Sequence, residues 1–349
     1  MEYITAAVLV NSGQPLKILD DIKLPKLRSG QILVKIHYAG LCHSQLMEAK
    51  GLRGKDKYLP HLLGHEGVGT VIDVGPDIKK VRIKDEVVLG WIKGSGLNET
   101  GTTFYSESIG EINSGPVTTF SNYSVVSENR VYKKPHFTPL KQSVLFGCAL
   151  PTGAGIVFNE LKPRENSNIV VIGLGGIGLS ALMAAKNKKP KNLIAIDTEN
   201  EKLRLANKMG ATHTLNANKP KLKQIVAEIC NQVGADYVIE AAGNTSTIEL
   251  GMELLNPREG ELIFASHPKK GDKICIDPFE LICGKKIRGS WGGKSAPDED
   301  IPILDKMHEE GILDLSNLIT KEYKLDNINS ALSDLENRRI TRGLISMPH

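Results

Sequence analysis

Cys42, His65 and Cys148 are the residues in the first half of the chain best suited to holding a metal ion. Two thiolates and one imidazole leave a fourth tetrahedral position open, which suits a catalytic zinc better than a closed structural one. The three lie far apart in the chain, so spacing does not link them. Buried thiols and a core histidine would read the same way. A second group is Gly173-Leu174-Gly175-Gly176-Ile177-Gly178, which fits G-x-G-x-x-G. It directly follows an apolar run, Asn168 to Ile172, and opens an apolar helical stretch from Ile177. In that setting Gly173 allows a tight turn, Gly175 lets the backbone approach a pyrophosphate, and Gly178 lets helix and strand pack closely. Gly176 stands at the helix start, where free N–H groups attract an anion. Asp197 ends the next predicted strand. A carboxylate there would hydrogen-bond an adenosine ribose and repel a 2′-phosphate, favouring NAD over NADP. The plainer alternative is that Asp197 only caps the next helix. Lys202, one turn into that helix, is either a further ribose contact or a surface lysine.

These groups need two kinds of scaffold. The first third reads as short strands and turns: Ala6 to Val10, the alternating run Gln31 to Tyr38, Val68 to Val74 and Glu86 to Leu89. From Lys93 to Phe120 the composition turns to Gly, Ser, Thr and Asn, which predicts a loop-like lobe. The middle alternates strands and helices: Asn168–Ile172, Asn192–Ile196, Asp236–Ile239 and Glu261–Phe264 as strands, with Thr198 as a possible cap of a helix from Glu199 to Met209. That alternation predicts right-handed crossovers and a parallel sheet. Beyond about Gly289 two helical stretches and a strand, Gly343 to Ser346, close the chain.

A length of 349 residues is enough for two domains. A net charge of +4, with 44 basic and 40 acidic residues interspersed, argues against a nucleic-acid binder. Five cysteines are too few for a disulfide scaffold, and no apolar run nears the length of a membrane span. The expectation is a cytoplasmic protein with reduced thiols and no membrane partner.

The settings of the three ligands add more. Cys42-His43-Ser44 follows a strand, His65 lies in Gly64-His65-Glu66-Gly67-Val68-Gly69, and Cys148 stands just before Pro151-Thr152-Gly153-Ala154-Gly155. With the fingerprint that follows, the chain resembles the zinc-dependent alcohol dehydrogenase branch of the medium-chain dehydrogenase/reductase superfamily over nearly its whole length. The resemblance implies an α/β fold: a doubly wound Rossmann domain at 151–288 binding NAD, and a β-rich GroES-like catalytic domain from 1–150 and 289–349. It implies that Cys42, His65 and Cys148 hold the zinc and that Glu66 is the acid beside it. Ser44 would pass the alcohol proton, His43 would lie near the cofactor pyrophosphate, and Trp91 would line the substrate pocket. Thr152 would lie beside the nicotinamide, and Arg342 would reach the pyrophosphate. The implied reaction is hydride transfer between NAD(H) and an alcohol/carbonyl pair, a secondary alcohol, polyol or sugar-derived alcohol, in a homodimer or homotetramer paired through the nucleotide domains.

Three departures from the family pattern stand out. Gln45 replaces an acid that commonly accepts from the ligand histidine; its carbonyl can take the same N–H without the charge. Met47 replaces a histidine that often ends the proton relay. The lobe between Gly90 and Phe120 has none of the four cysteines that hold a structural zinc in many relatives. One catalytic zinc per chain and no structural zinc is therefore expected. A zinc-free NADPH-dependent quinone or enone reductase, and a non-catalytic NAD-binding regulator, are the alternatives. Asp197 and the ligand triplet weigh against the first; Gln45 and the missing lobe cysteines leave room for the second.

Overall fold

A computed structural model describes residues 2–349 as two compact units. The first runs to Cys148 and adds Ala296–Lys306 and Ile319–His349; the second comprises Ala149–Ser295 and Met307–Leu318. Residues 289–295 and Met307–Leu318 thus group with the second unit.

The first unit is β-rich. Tyr3–Leu9, Lys17–Lys23, Thr103–Ser106, Gly110–Asn113 and His61–Leu62 close a small barrel. A second sheet runs Val131–Lys133, Glu86–Gly90, Glu66–Val74, Gln31–Leu41, Gly343–Ser346 and Lys321–Lys324, and Tyr123–Ser127 also pairs with Gln31–Leu41. The long strand Gln31–Leu41 is the hub. Its alternation buries Ile32, Val34 and Ile36 in one core with Leu9, Leu89 and Ile345, and removing this apolar surface from water is the main force assembling the sheet. The C-terminal strand pairs antiparallel with the hub, Gly343 opposite Leu41.

The lobe from Lys93 to Phe120 differs from expectation. It contains a paired hairpin, Thr103–Ser106 with Gly110–Asn113, which completes the barrel. Its polar composition hid the strands, because only Phe104 and Ile112 point into the small core and the other faces stay wet. The start of the lobe is tied down by one buried carboxylate. Glu128 accepts the N–H groups of Lys79 and Lys80 on Oε1 at 2.8 and 2.9 Å, and that of Leu97 on Oε2 at 2.7 Å.

The second unit holds six parallel strands in the order His213–Asn216, Asn192–Asp197, Asn168–Ile172, Tyr237–Glu240, Glu261–Phe264, Lys286–Gly289. By chain order this is 3-2-1-4-5-6, the doubly wound arrangement that binds dinucleotides beyond the carboxyl ends of its strands. Its four inner strands are buried on both faces, so they read as apolar runs, whereas the edge strands His213–Asn216 and Lys286–Gly289 do not. Asn168–Ile172 and Glu261–Phe264 fall where expected. The helix after Asp197 spans Asn200–Lys208, with Glu199 rather than Thr198 at its N-cap, and Gly210 follows its end with φ +107°. Among the described residues no single helix is long and apolar enough to cross a membrane.

Candidate functional site

The three metal-ligand candidates converge in the first unit. Strand Gln31–Leu41 ends into Cys42, which is the N-cap of helix His43–Ala49. His65 sits between strands His61–Leu62 and Glu66–Val74. Gly64 makes the turn before it at φ +95°, and a Cβ there would lie 2.4 Å from Thr119 Oγ1. Thr119 clamps both flanks: its N–H donates to Leu63 O, and its hydroxyl donates to Glu66 O at 2.9 Å. Cys148 follows the turn Val144–Gly147.

The ligand atoms of Cys42, His65 and Cys148 lie within 4.8 Å of one another. Ligands placed tetrahedrally about zinc at Zn–S and Zn–N bond lengths stand roughly 3.6–3.8 Å apart, so the set is close to coordinating geometry. His65 Nε2 is buried without a hydrogen-bond partner. A buried ring nitrogen in that condition, next to the Cys42 thiol, suits a metal ligand. Cys148 hydrogen-bonds to Cys42, which holds Cys42 well below the ordinary thiol value and pushes Cys148 well above it. A zinc ion would take the place of that shared proton. The donors therefore fit zinc.

Glu66 and Arg342 lie beside this set. Glu66 is fully buried, and Arg342 Nη2 donates to its Oε1 across 276 residues of chain. Two glycines make the room. A Cβ on Gly40 would stand 2.3 Å from Glu66 Oε1, and one on Gly147 would stand 2.9 Å from Glu66 Cβ. Burial pushes the Glu66 carboxyl up, and Arg342 opposes it without cancelling the rise. On Arg342 burial works the other way, but Glu66, Cys42 and Cys148 outweigh it and keep the guanidinium firmly charged. Arg342 thus pairs with Glu66 within the first unit, whereas the resemblance implied that it reaches the cofactor pyrophosphate.

Ser44 Oγ lies 3.4 Å from Cys42 Sγ and donates to it. Gln45 does something other than expected. Its Oε1 accepts the Cys42 backbone N–H at 2.7 Å, which caps the helix, so that oxygen is not reserved for His65. Met47 is buried, His43 is exposed, and Trp91 is half-buried just past Glu86–Gly90. Trp91 O accepts from Arg130.

In the second unit the fingerprint turn is built as its glycines require. Gly173 has φ +87°, and a Cβ there would meet Ala242 N at 2.5 Å. A Cβ on Gly178 would lie 1.8 Å from Gly173 O. Gly175 has open space around it, which leaves room for a phosphate to reach the backbone, and Gly176 begins helix Gly176–Lys186. Asp197 ends the neighbouring strand and accepts from Leu174 N at 2.7 Å and Glu199 N at 3.0 Å. A carboxylate offers about four acceptor positions, so two remain for a ribose. Lys202 is half-exposed on helix Asn200–Lys208, and Thr152 is buried on helix Ala149–Gly155. Sequence reasoning missed Glu240. This buried residue shapes the loop after the fourth strand by accepting from Ala242 N, Gly243 N and Thr247 Oγ1. An acid ending an otherwise apolar strand was the available signal.

Comparison with known proteins agrees with this geometry. Residues 28–136 match the alcohol dehydrogenase GroES-like domain, and residues 176–309 match the zinc-binding dehydrogenase family. An S-(hydroxymethyl)glutathione dehydrogenase of Escherichia coli O1:K1 / APEC is 30% identical over 97% of this chain and 98% of its own. The chain belongs to the zinc-dependent medium-chain alcohol dehydrogenase family. An alcohol dehydrogenase zinc-binding domain protein from Burkholderia ambifaria superposes with a TM-score of 0.90 at 29% identity, covering 99% of each chain. Benzyl alcohol dehydrogenase from Acinetobacter calcoaceticus superposes with a TM-score of 0.89 at 27% identity, covering both chains fully. As a member of the alcohol dehydrogenase family the chain is an oxidoreductase acting on alcohols, with a GroES-like unit and a Rossmann unit. Of the three cysteines outside the ligand set, Cys230 is buried in the Rossmann core, whereas Cys275 and Cys283 are exposed.

Proposed function

We propose that the chain oxidises alcohols, and reduces the matching carbonyls, with NAD as the hydride carrier. Secondary alcohols, polyols and sugar-derived alcohols are the substrates this reading favours. The observation that carries it is the convergence of Cys42, His65 and Cys148 with an unpartnered His65 Nε2. Those three side chains would hold the zinc. Zinc bound there supplies Lewis acidity, lowering the pKa of a hydroxyl toward neutrality. Ser44 Oγ, beside Cys42, takes up the alcohol proton and hands it on to His43 or water. Glu66, its charge balanced by Arg342, sets the field next to the ligands. The turn Gly173–Gly178 and the start of helix Gly176–Lys186 would hold the NAD pyrophosphate, and Asp197 the adenosine ribose, with Lys202 beside it. Thr152 and Trp91 are read as lining the nicotinamide and substrate positions. The free cysteines agree with a cytoplasmic enzyme.

The test is a panel of alcohols and polyols, including benzyl alcohol and S-(hydroxymethyl)glutathione, on zinc-loaded protein with NAD and with NADP. NADH formation is expected, and its absence across the panel would end this reading. Asp197→Ala should lower the preference for NAD over NADP in kcat/KM by roughly 10–100-fold. That is the worth of about 1.5–3 kcal/mol for hydrogen bonds to a charged group. Unchanged discrimination would remove Asp197 from this role.

The Rossmann unit also offers a surface for a second copy. Strand Lys286–Gly289 is the last in its sheet, and the short helix before it, Pro278–Ile282, buries none of its residues. Phe279 and Ile282 are 66% and 78% exposed there. A free edge beside bare apolar side chains is a pairing surface. Sedimentation should return a dimer or tetramer for the wild type and a smaller species for Phe279→Lys/Ile282→Lys. A wild type that sediments as a monomer would exclude pairing.

A further inference from the structure

A second group of metal-ligand side chains lies in the GroES-like unit and is built from different donors. Glu48 is in the last turn of helix His43–Ala49, Asp56 is in the loop that follows, and His61 is in strand His61–Leu62. One oxygen from each carboxylate and one ring nitrogen lie within 4.8 Å of one another. The side chains of His61 and Asp56 are only 8% and 12% exposed, and that of Glu48 is 34% exposed.

The hydrogen bonds of His61 give this cluster its character. Nδ1 lies 2.9 Å from Leu62 O. A carbonyl can only accept, so Nδ1 carries the ring proton. Nε2 then faces Asp56 Oδ2 at 2.8 Å and Glu48 Oε1 at 3.9 Å. In a neutral ring its lone pair would confront the lone pairs of two carboxylates. Either a proton or a cation has to lie between these facing atoms. Metal-bound histidines nearly always anchor the far ring nitrogen to a carbonyl or carboxylate, as Leu62 O does here. Nitrogen and oxygen ligands tetrahedral about zinc stand about 3.3–3.6 Å apart, and the two separations bracket that figure. Asp56 Oδ1 is held by the Tyr58 N–H at 2.9 Å, which aims Oδ2 at the histidine.

We propose that Glu48, Asp56 and His61 form a second, exchangeable site for a divalent first-row metal ion of the zinc or cobalt type. Arg53 Nη1, 3.6 Å from Glu48 Oε2, competes for one carboxylate and makes the site weaker than the thiolate set. An ion here joins the end of the helix that Cys42 begins to the strand that precedes His65, bracing two of the three segments behind the catalytic ligands. An occupied second site would overturn the expected count of one zinc per chain.

Cobalt separates the two sites. Full-length protein is stripped of metal and titrated with cobalt. Total bound cobalt is counted by mass spectrometry, while thiolate-to-cobalt charge-transfer absorbance reports only the Cys42/Cys148 set. Wild type should bind two equivalents, with the absorbance saturating at the first. Asp56→Asn and Glu48→Gln, near-isosteric changes that spare the buried ring, should each bind one equivalent at full absorbance. If wild type saturates at one equivalent together with the absorbance, a proton and not a metal joins these atoms, and the proposal fails. It also fails if both variants still take two.

Discussion

Cys42→Ser is expected to lower turnover by about 10³–10⁴-fold. The metal's Lewis acidity contributes several kcal/mol to such a reaction, and each 1.36 kcal/mol is tenfold in rate. Serine at Cys42 keeps the backbone N–H that Gln45 caps, so the helix start should survive. What is lost is one thiolate of three donors, and with it much of the zinc affinity. His65→Ala should behave similarly by removing the imidazole. NADH binding should persist in both, because the glycine turn and Asp197 belong to a unit with its own core. Three measurements decide the matter: steady-state turnover, zinc per chain, and NADH fluorescence titration. A Cys42→Ser enzyme within a few-fold of wild type would show that the thiolate set is not where the chemistry happens.

Arg342→Met should cost about 3–5 kcal/mol of stability at neutral pH. The pair it breaks is nearly sealed, with side-chain exposures of 6% for Arg342 and 0% for Glu66. Removing one partner leaves an uncompensated buried charge, which is far more costly than never having had the pair. The loss should depend on pH with a definite sign. Burial already pushes the Glu66 carboxyl up, and Arg342 restrains it. Without the guanidinium the folded chain holds that proton to higher pH than the unfolded chain, whose value is about 4.3. Stability of the variant therefore falls as pH rises from there through the folded value, and the deficit against wild type is smallest in acid. Adding Glu66→Gln should recover most of the loss, since a neutral amide needs no counter-charge. Urea unfolding of zinc-loaded proteins across pH checks this. A deficit that is flat with pH, or that Glu66→Gln does not relieve, would mean that Arg342 stabilises by packing alone.

The elements that could be located in advance share one property. Asn168–Ile172, Glu261–Phe264 and Gly343–Ser346 are central strands, so burial writes itself into their side chains. Lys17–Lys23, Lys286–Gly289 and Lys321–Lys324 escaped notice because they lie at sheet ends or in the small barrel and carry charges on their wet faces. The hairpin in the lobe was hidden for the same reason. Gln45 was read through its neighbours in other proteins as a partner of the histidine. Locally it is three residues past an N-cap, the position from which a side chain reaches back to the capping residue.

The chemistry available to this protein was written in residue types and short spacings. Glycines in a strand-to-helix turn, an acid closing the next strand, and thiols and imidazoles in a chain too cysteine-poor for disulfides all act through local sterics and intrinsic donor character, which nearest neighbours suffice to define. Only the folded chain could bring Cys42, His65 and Cys148 together, turn Arg342 onto Glu66, and gather Glu48, Asp56 and His61 around one point. Those meetings depend on strand register. The pairing of Gly343 with Leu41 places Arg342 beside the Cys42 turn, and a slip of one residue would send it to the opposite face. Register is set by the burial of a whole sheet at once, so no short stretch of sequence contains it.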